Sequence, residues 1–218
     1  MTAHRPLTRR SRFATSRGLD RVVFFTDAIA AIAITLLILP LVDLVPQSSE
    51  GGATPVDFIV SNGAQVISFL ISFLVIARLW YAHHQLFEHV VQYTPLIAVL
   101  SVLWAFTVVV LPLPTAMTSE FEPSVFTVAF YVGTMTLSSA TLTAMAFAVR
   151  GHPDAESKDN PVSVHALVGS LTITVLFVTA LIVGLFFPDI NYWALLVLVV
   201  AGPVGAVIER LWTRGKAG

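Results

Sequence analysis

Residues 21–42 read Arg-Val-Val-Phe-Phe-Thr-Asp-Ala-Ile-Ala-Ala-Ile-Ala-Ile-Thr-Leu-Leu-Ile-Leu-Pro-Leu-Val. After Arg21 the only charged side chain is Asp27, and between Ala28 and Leu39 the only polar one is Thr35. An apolar run of about 20 residues spans the hydrocarbon layer of a bilayer once it is helical, so 22–42 reads as a transmembrane helix. It is too long for the apolar core of a signal peptide and is followed by no small-residue cleavage site, which makes it a span of the mature protein.

Five further runs of that kind follow, at 58–79, 95–113, 125–149, 165–187 and 192–208. They are separated by a polar Gly/Ser/Glu loop at 46–57, an aromatic and histidine-rich stretch at 80–93, and connectors at 114–124 and 150–164. The last gap, 188–191, is short, but Pro188-Asp189 argues against one fused helix. Composition agrees with this reading. Of 218 residues, 56% are hydrophobic and only 11% charged, with a mean hydropathy of +0.83. Soluble domains carry about 25% charged residues, and one of this size could not bury so much apolar surface. With no cysteine, disulfides and thiolate chemistry are excluded.

The basic residues test the span count independently. Arg5, Arg9, Arg10, Arg12, Arg17 and Arg21 precede the first span; Arg78 closes the second; Arg150 and Lys158 lie between the fourth and fifth; Arg210, Arg214 and Lys216 follow the sixth. In a six-span chain all twelve fall on one side, and the other side has only acids, among them Asp43, Glu50, Asp57, Glu120, Glu122 and Asp189. The positive-inside rule then puts both termini in the cytoplasm. The expected organisation is a basic cytoplasmic N-terminus (1–21), a six-helix membrane domain (22–209) and a short cytoplasmic tail (210–218) of a multi-pass cell-membrane protein. The arginines serve topology and contact with anionic membrane lipids; nucleic-acid binding would need a folded basic surface with aromatic platforms, and is not expected.

Within the first span, Asp27 is costly enough to require a purpose: a carboxylate near a helix start, or a buried network that holds the helix in place. Ala28, Ile32, Thr35 and Leu39 fall on one stripe at the i, i+3/i+4 spacing. That stripe serves equally well as a packing face or, if symmetric copies converge on an axis, as hydrophobic rings with one hydroxyl ring. The second span ends in Arg78-Leu-Trp80-Tyr-Ala-His83-His84-Gln-Leu-Phe87-Glu88-His89, on the same side as Asp27. This allows a histidine–carboxylate contact between the first two helices, with Trp80 as interfacial anchor or packing partner. No metal site is expected, because adjacent helical histidines point about 100° apart and no H-E-x-x-H spacing is present. Ser61, Asn62, Gln65, Ser68 and Ser72 form a polar stripe suited to interhelical bonding. There is no T-V-G-Y-G carbonyl filter, arginine-repeat voltage sensor, phosphate-binding glycine loop or nucleophile elbow. No enzyme activity is expected.

The string Arg21-x-x-x-Phe25-Thr26-Asp27, its Ala/Ile continuation, and Trp80-x-x-His83-His84 together resemble the endosomal and lysosomal transmembrane potassium-channel family. The closest likeness is to its prokaryotic branch, whose subunits have one six-helix unit. Thr26 replaces the usual serine of the R-x-x-x-F-S-D signature, keeping the hydroxyl while adding a methyl. The resemblance implies an all-α membrane protein that is a homotetramer, its pore lined by the first helix. It also implies passive K+ permeation with modest selectivity over Na+ and no cofactor. By the same resemblance Ile32 is the constriction, Thr35 and Leu39 face the pore, and Arg21, Phe25, Thr26 and Asp27 secure the pore helix with Trp80, His83 and His84 as partners. Two other readings share the six spans: a proton- or ion-coupled small-solute transporter using Asp27 as a relay, and a non-conducting membrane scaffold.

Overall fold

The computed structural model describes residues 16–187. The chain there forms α1 (Ser16–Leu36), α2 (Leu39–Glu50), α3 (Pro55–Ser61), α4 (Gly63–Phe87), α5 (Pro95–Val110), α6 (Pro112–Glu120), α7 (Val125–Arg150) and α8 (Val164–Phe186). Five stretches are long and apolar enough to cross a membrane: Gly18–Glu50, Gly63–Phe87, Pro95–Glu120, Val125–Arg150 and Val164–Phe186. They match the first five expected spans. The sixth, 192–208, with its preceding turn and Pro203, lies outside the described residues.

Three boundaries differ from the sequence expectation, and proline explains two of them. The first span does not end at 42 in a polar loop: helix resumes at Leu39 and runs to Glu50 after an interruption at Leu37–Ile38. Pro40 has no N–H to offer the carbonyl four residues back, and its ring crowds that carbonyl, so the helix breaks and restarts with Pro40 in its first turn. The third span likewise passes the expected connector at 114–124 as α6, restarting at Pro112 after Leu111. In the third case, helix does not stop with the apolar run at 79 but continues through Phe87, so Trp80, His83 and His84 all lie on α4.

Helix starts are specified by hydroxyls. Thr54, Thr94, Ser124 and Ser163 each accept a hydrogen bond from the backbone N–H three residues on, satisfying a donor the helix cannot. At one end of the bundle the 88–94 and 151–163 connectors are clasped together. Val91 N–H donates to Ala155 O (2.9 Å) and Ser157 N–H to His89 O (2.8 Å). Arg150 Nη1 donates to Val162 O at 2.7 Å, beside Glu156 Oε1 at 3.5 Å. The clasp joins the end of α4 to the connector that follows α7 and carries Lys158.

Helix α7 is the hub, packing against α8 and α5 most extensively and also against α6 and α4, while α1 leans on α4 and α5. Lipid is as apolar as leucine, so what holds such helices together is close packing and interhelical hydroxyl bonds. Both occur here. Ser72 Oγ and Tyr131 Oη lie 2.6 Å apart, and Thr115 donates to Ser72 at 2.9 Å, tying α4, α6 and α7. Thr143 Oγ1 contacts Ser170 Oγ at 2.6 Å and Thr174 Oγ1 at 2.9 Å, with Ser139 Oγ also 2.9 Å from Thr174, tying α7 to α8. Of the expected polar stripe, Ser68 and Ser72 bond between helices, whereas Asn62 bonds back to Phe58 O within its own segment. Gly184 sets the α7–α8 distance, since a Cβ there would lie 2.7 Å from Val128 Cγ1. Gly184→Leu is expected to cost about 1–3 kcal/mol by overpacking. A fall in the thermal midpoint of the detergent-solubilised protein checks this; an unchanged midpoint would mean that the two helices do not approach so closely.

Candidate functional site: an exposed stripe and its anchor

The two sides of α1 have opposite environments. Thr26, Ala30, Ala33, Leu37 and, past the break, Leu41 are buried against the rest of the subunit, Ala30 and Ala33 almost completely. Their small side chains let α1 sit close to α4 and α5. Ala28, Ile32, Thr35 and Leu39 all face outward, Ile32 being 58% and Leu39 48% exposed. The stripe expected from spacing is therefore a real surface, and it is not the face by which α1 packs on its own subunit.

Its chemistry is simple. From Ala28 to Val42 it carries no charge. Thr35 Oγ1 donates to Ile32 O at 2.7 Å, which spends its proton on the helix and leaves the oxygen lone pairs available to an incoming donor or cation. Asp43 is exposed one turn beyond Leu39, a position that the sequence reading used only for topology.

The anchor lies at the other end. Trp80 Nε1 on α4 donates to Asp27 Oδ1 on α1 at 2.9 Å, so the carboxylate that looked expensive has an interhelical partner. Thr26 turns its hydroxyl onto Val22 O and Val23 O of its own helix at 3.0 and 2.9 Å; threonine here buries its methyl without leaving a polar atom unpaired. Phe25 is 55% exposed and Arg21 is exposed. Among the described residues Arg150 pairs with Glu156 and His84 lies 3.9 Å from Glu88, and neither Arg21 nor Asp27 takes part in an ion pair.

The histidines depart from expectation. The contact between the first two helices is made by the indole of Trp80, not by a histidine. His83 is fully buried, and neither ring nitrogen has a hydrogen-bond partner among the described residues. Its ring is sandwiched face to face between Trp104 on α5 (4.1 Å, 17°) and Phe87 (4.4 Å, 27°). His84 stacks on Trp80 at 5.8 Å and lies 3.9 Å from Glu88. The cluster is thus an aromatic stack carrying one hydrogen bond rather than a hydrogen-bond network. Trp104, fully buried and central to it, was missed, although Ser101 and Thr107, three residues to either side, mark the same inward face of α5. Among the described residues no group of three or more His, Asp or Glu is arranged to hold a metal ion.

Residues 21–112 match the sequence model of a family described as endosomal/lysosomal potassium channel TMEM175, a family of ion channels and not of enzymes. The chain is 35% identical over 101 residues to a potassium channel of Streptomyces collinus, covering 46% of this chain and 48% of that one. It is 36% identical over 107 residues to the endosomal/lysosomal proton channel TMEM175 of Gallus gallus, covering 47% of this chain and 21% of that one. The matched part thus spans about half of the bacterial relative and about a fifth of the avian one. In three dimensions the chain superposes on the crystal structure of a lysosomal potassium-selective channel TMEM175 homolog from Chamaesiphon minutus. The TM-score is 0.69 at 19% identity, over 86% of this chain and 97% of that chain. The two share a multi-spanning all-α fold.

Proposed function

We infer, from the match of residues 21–112 to the TMEM175 potassium-channel family and the shared fold, that this chain is the subunit of a passive cation channel. Four copies surround a pore lined by α1. One observation carries this reading: the stripe of Ala28, Ile32, Thr35 and Leu39 is turned away from its own subunit on a helix whose other face is buried. Scaffold packing within the subunit would have put that stripe inside.

In such an assembly four Ile32 side chains form the constriction. They exclude water when in contact, and an ion passes only when the pore wets, since stripping its hydration with nothing in return is prohibitive. The Thr35 ring then offers hydroxyl oxygens to a partly hydrated cation. No rigid oxygen cage replaces the hydration shell, so preference for K+ over Na+ is modest. The Asp43 carboxylates lie toward the outer mouth, where negative charge raises the local cation concentration.

The test is K+ efflux from liposomes containing the purified protein, with Na+ and proton gradients in parallel because the avian relative is described as a proton channel. Ile32→Asn is expected to raise uncoupled flux about tenfold, a barrier lowered by about 1.4 kcal/mol. Unchanged flux in a folded assembly would reject Ile32 as the constriction. Flux that needs a second gradient would establish a coupled transporter, and silence toward every ion a scaffold.

A further inference from the structure

We propose that the outward face of α4 is a binding site for an anionic phospholipid, its headgroup held by Arg78 and Tyr81. Seen along the helix, Ile67, Leu70, Leu74, Arg78, Tyr81 and Gln85 recur at spacings of three and four residues, and all six are exposed. They lie away from Trp80, which bonds to Asp27 of α1. The stripe changes character along its length: aliphatic through Leu74, then a guanidinium, a phenol and an amide.

That gradient matches the cross-section of one leaflet. Trp80 and Tyr81 are the aromatic pair expected at the level of the headgroups, which puts Arg78 within one turn of the hydrocarbon boundary, where its long side chain reaches the phosphates. Arg78 has no carboxylate within ion-pair distance among the described residues, unlike Arg150, which is held by Glu156. Gln85 Nε2 donates to Tyr81 Oη at 3.0 Å. The phenol oxygen is thereby used as acceptor, and its own proton is free to point outward. A phosphodiester offers what this arrangement lacks: a negative charge and acceptor oxygens beside a guanidinium, with acyl chains lying along Leu74, Leu70 and Ile67. The nearest acid on the stripe, Glu88, lies about three turns beyond Arg78 and 3.9 Å from His84.

The experiment compares wild type with Arg78→Gln, Arg78→Lys and Tyr81→Phe. Lipid retained by the full-length protein is measured by native mass spectrometry from mixed phosphatidylglycerol and phosphatidylcholine micelles, with inorganic phosphate as a separate competitor. Wild type is expected to retain phosphatidylglycerol preferentially, and Arg78→Gln to weaken that preference about fivefold. Arg78→Lys should keep most of it and Tyr81→Phe reduce it, so the proposal stays testable if Arg78→Gln fails to fold. The N-terminal arginines are common to every protein compared, so the differences report the α4 site. Equal retention by wild type and Arg78→Gln would overturn the proposal. So would displacement of the lipid by millimolar phosphate, or loss of the assembly on Arg78→Gln, which would make the face a contact between copies. The readout is lipid retention, so it stands or falls separately from ion conduction.

Discussion

Trp104→Ala is expected to destabilise the subunit by about 3 kcal/mol. This is the low end for Trp→Ala in a core, because lipid removes much of the transfer term while the cavity term remains. Trp104 is completely buried on α5 and covers one face of His83 at 4.1 Å. Without it, the imidazole keeps only Phe87, and a cavity large enough to admit water opens between α4 and α5. Trp104→Phe should cost less than half as much, since a smaller ring still stacks. Unfolding of the detergent-solubilised protein followed by intrinsic fluorescence or heat capacity checks both. A loss below about 1 kcal/mol for the alanine variant would mean that the stack is not a cornerstone of the fold.

This stack also marks the limit of what the sequence makes legible. Span placement could be read because a bilayer imposes a length on every crossing helix, and the first five spans lie where the apolar runs put them. The outward stripe of α1 was legible because Thr35, Asp27 and the small alanines break the uniformity of that helix. Asp27 stood out for the same reason, since a carboxylate in a span demands a partner.

The internal arrangement was much less legible. A soluble amphipathic helix identifies its buried face by polarity, but a membrane helix meets apolar surroundings on both sides. In 95–110 only the hydroxyls of Ser101 and Thr107, three residues either side of Trp104, distinguish it as buried from Phe106, which is 61% exposed. The choice of Trp80 over a histidine as partner of Asp27 was equally hidden, because indole and imidazole both donate and only the packing of α1 on α4 decides which one reaches. The helix restarts at Pro40 and Pro112 were misjudged for another reason. The apolar runs pass these prolines but stop at Val42 and Leu113, because residues beyond, such as Asp43 and Gln47–Glu50 or Thr118–Glu120, are polar. Helix nevertheless continues through them, with proline at home in its first turn.

The Asp27–Trp80 bond should have a measurable signature in a double-mutant cycle. Asp27→Leu leaves the indole N–H of Trp80 without its acceptor; Trp80→Phe leaves the carboxylate of Asp27 without its donor. Each single change therefore carries the cost of an orphaned group in addition to the lost bond. The double variant removes both partners together, so it is expected to be more stable than the sum of the two losses predicts. The coupling should be about 0.6–1.7 kcal/mol, the range found for interhelical hydrogen bonds in membranes. Asp27→Asn retains a carbonyl oxygen for the indole and should cost least. If the bond positions α1, flux through the reconstituted protein should fall with Asp27→Leu and Trp80→Phe and survive in Asp27→Asn. Stabilities that add to within about 0.3 kcal/mol would show instead that the 2.9 Å contact contributes nothing beyond its parts. An asymmetry is also expected between the single variants. An unpaired carboxylate at a span's edge is harder to accommodate than an unpaired indole N–H, so Trp80→Phe should be the more damaging of the two. That order separates a bond that satisfies Asp27 from one that merely occupies Trp80.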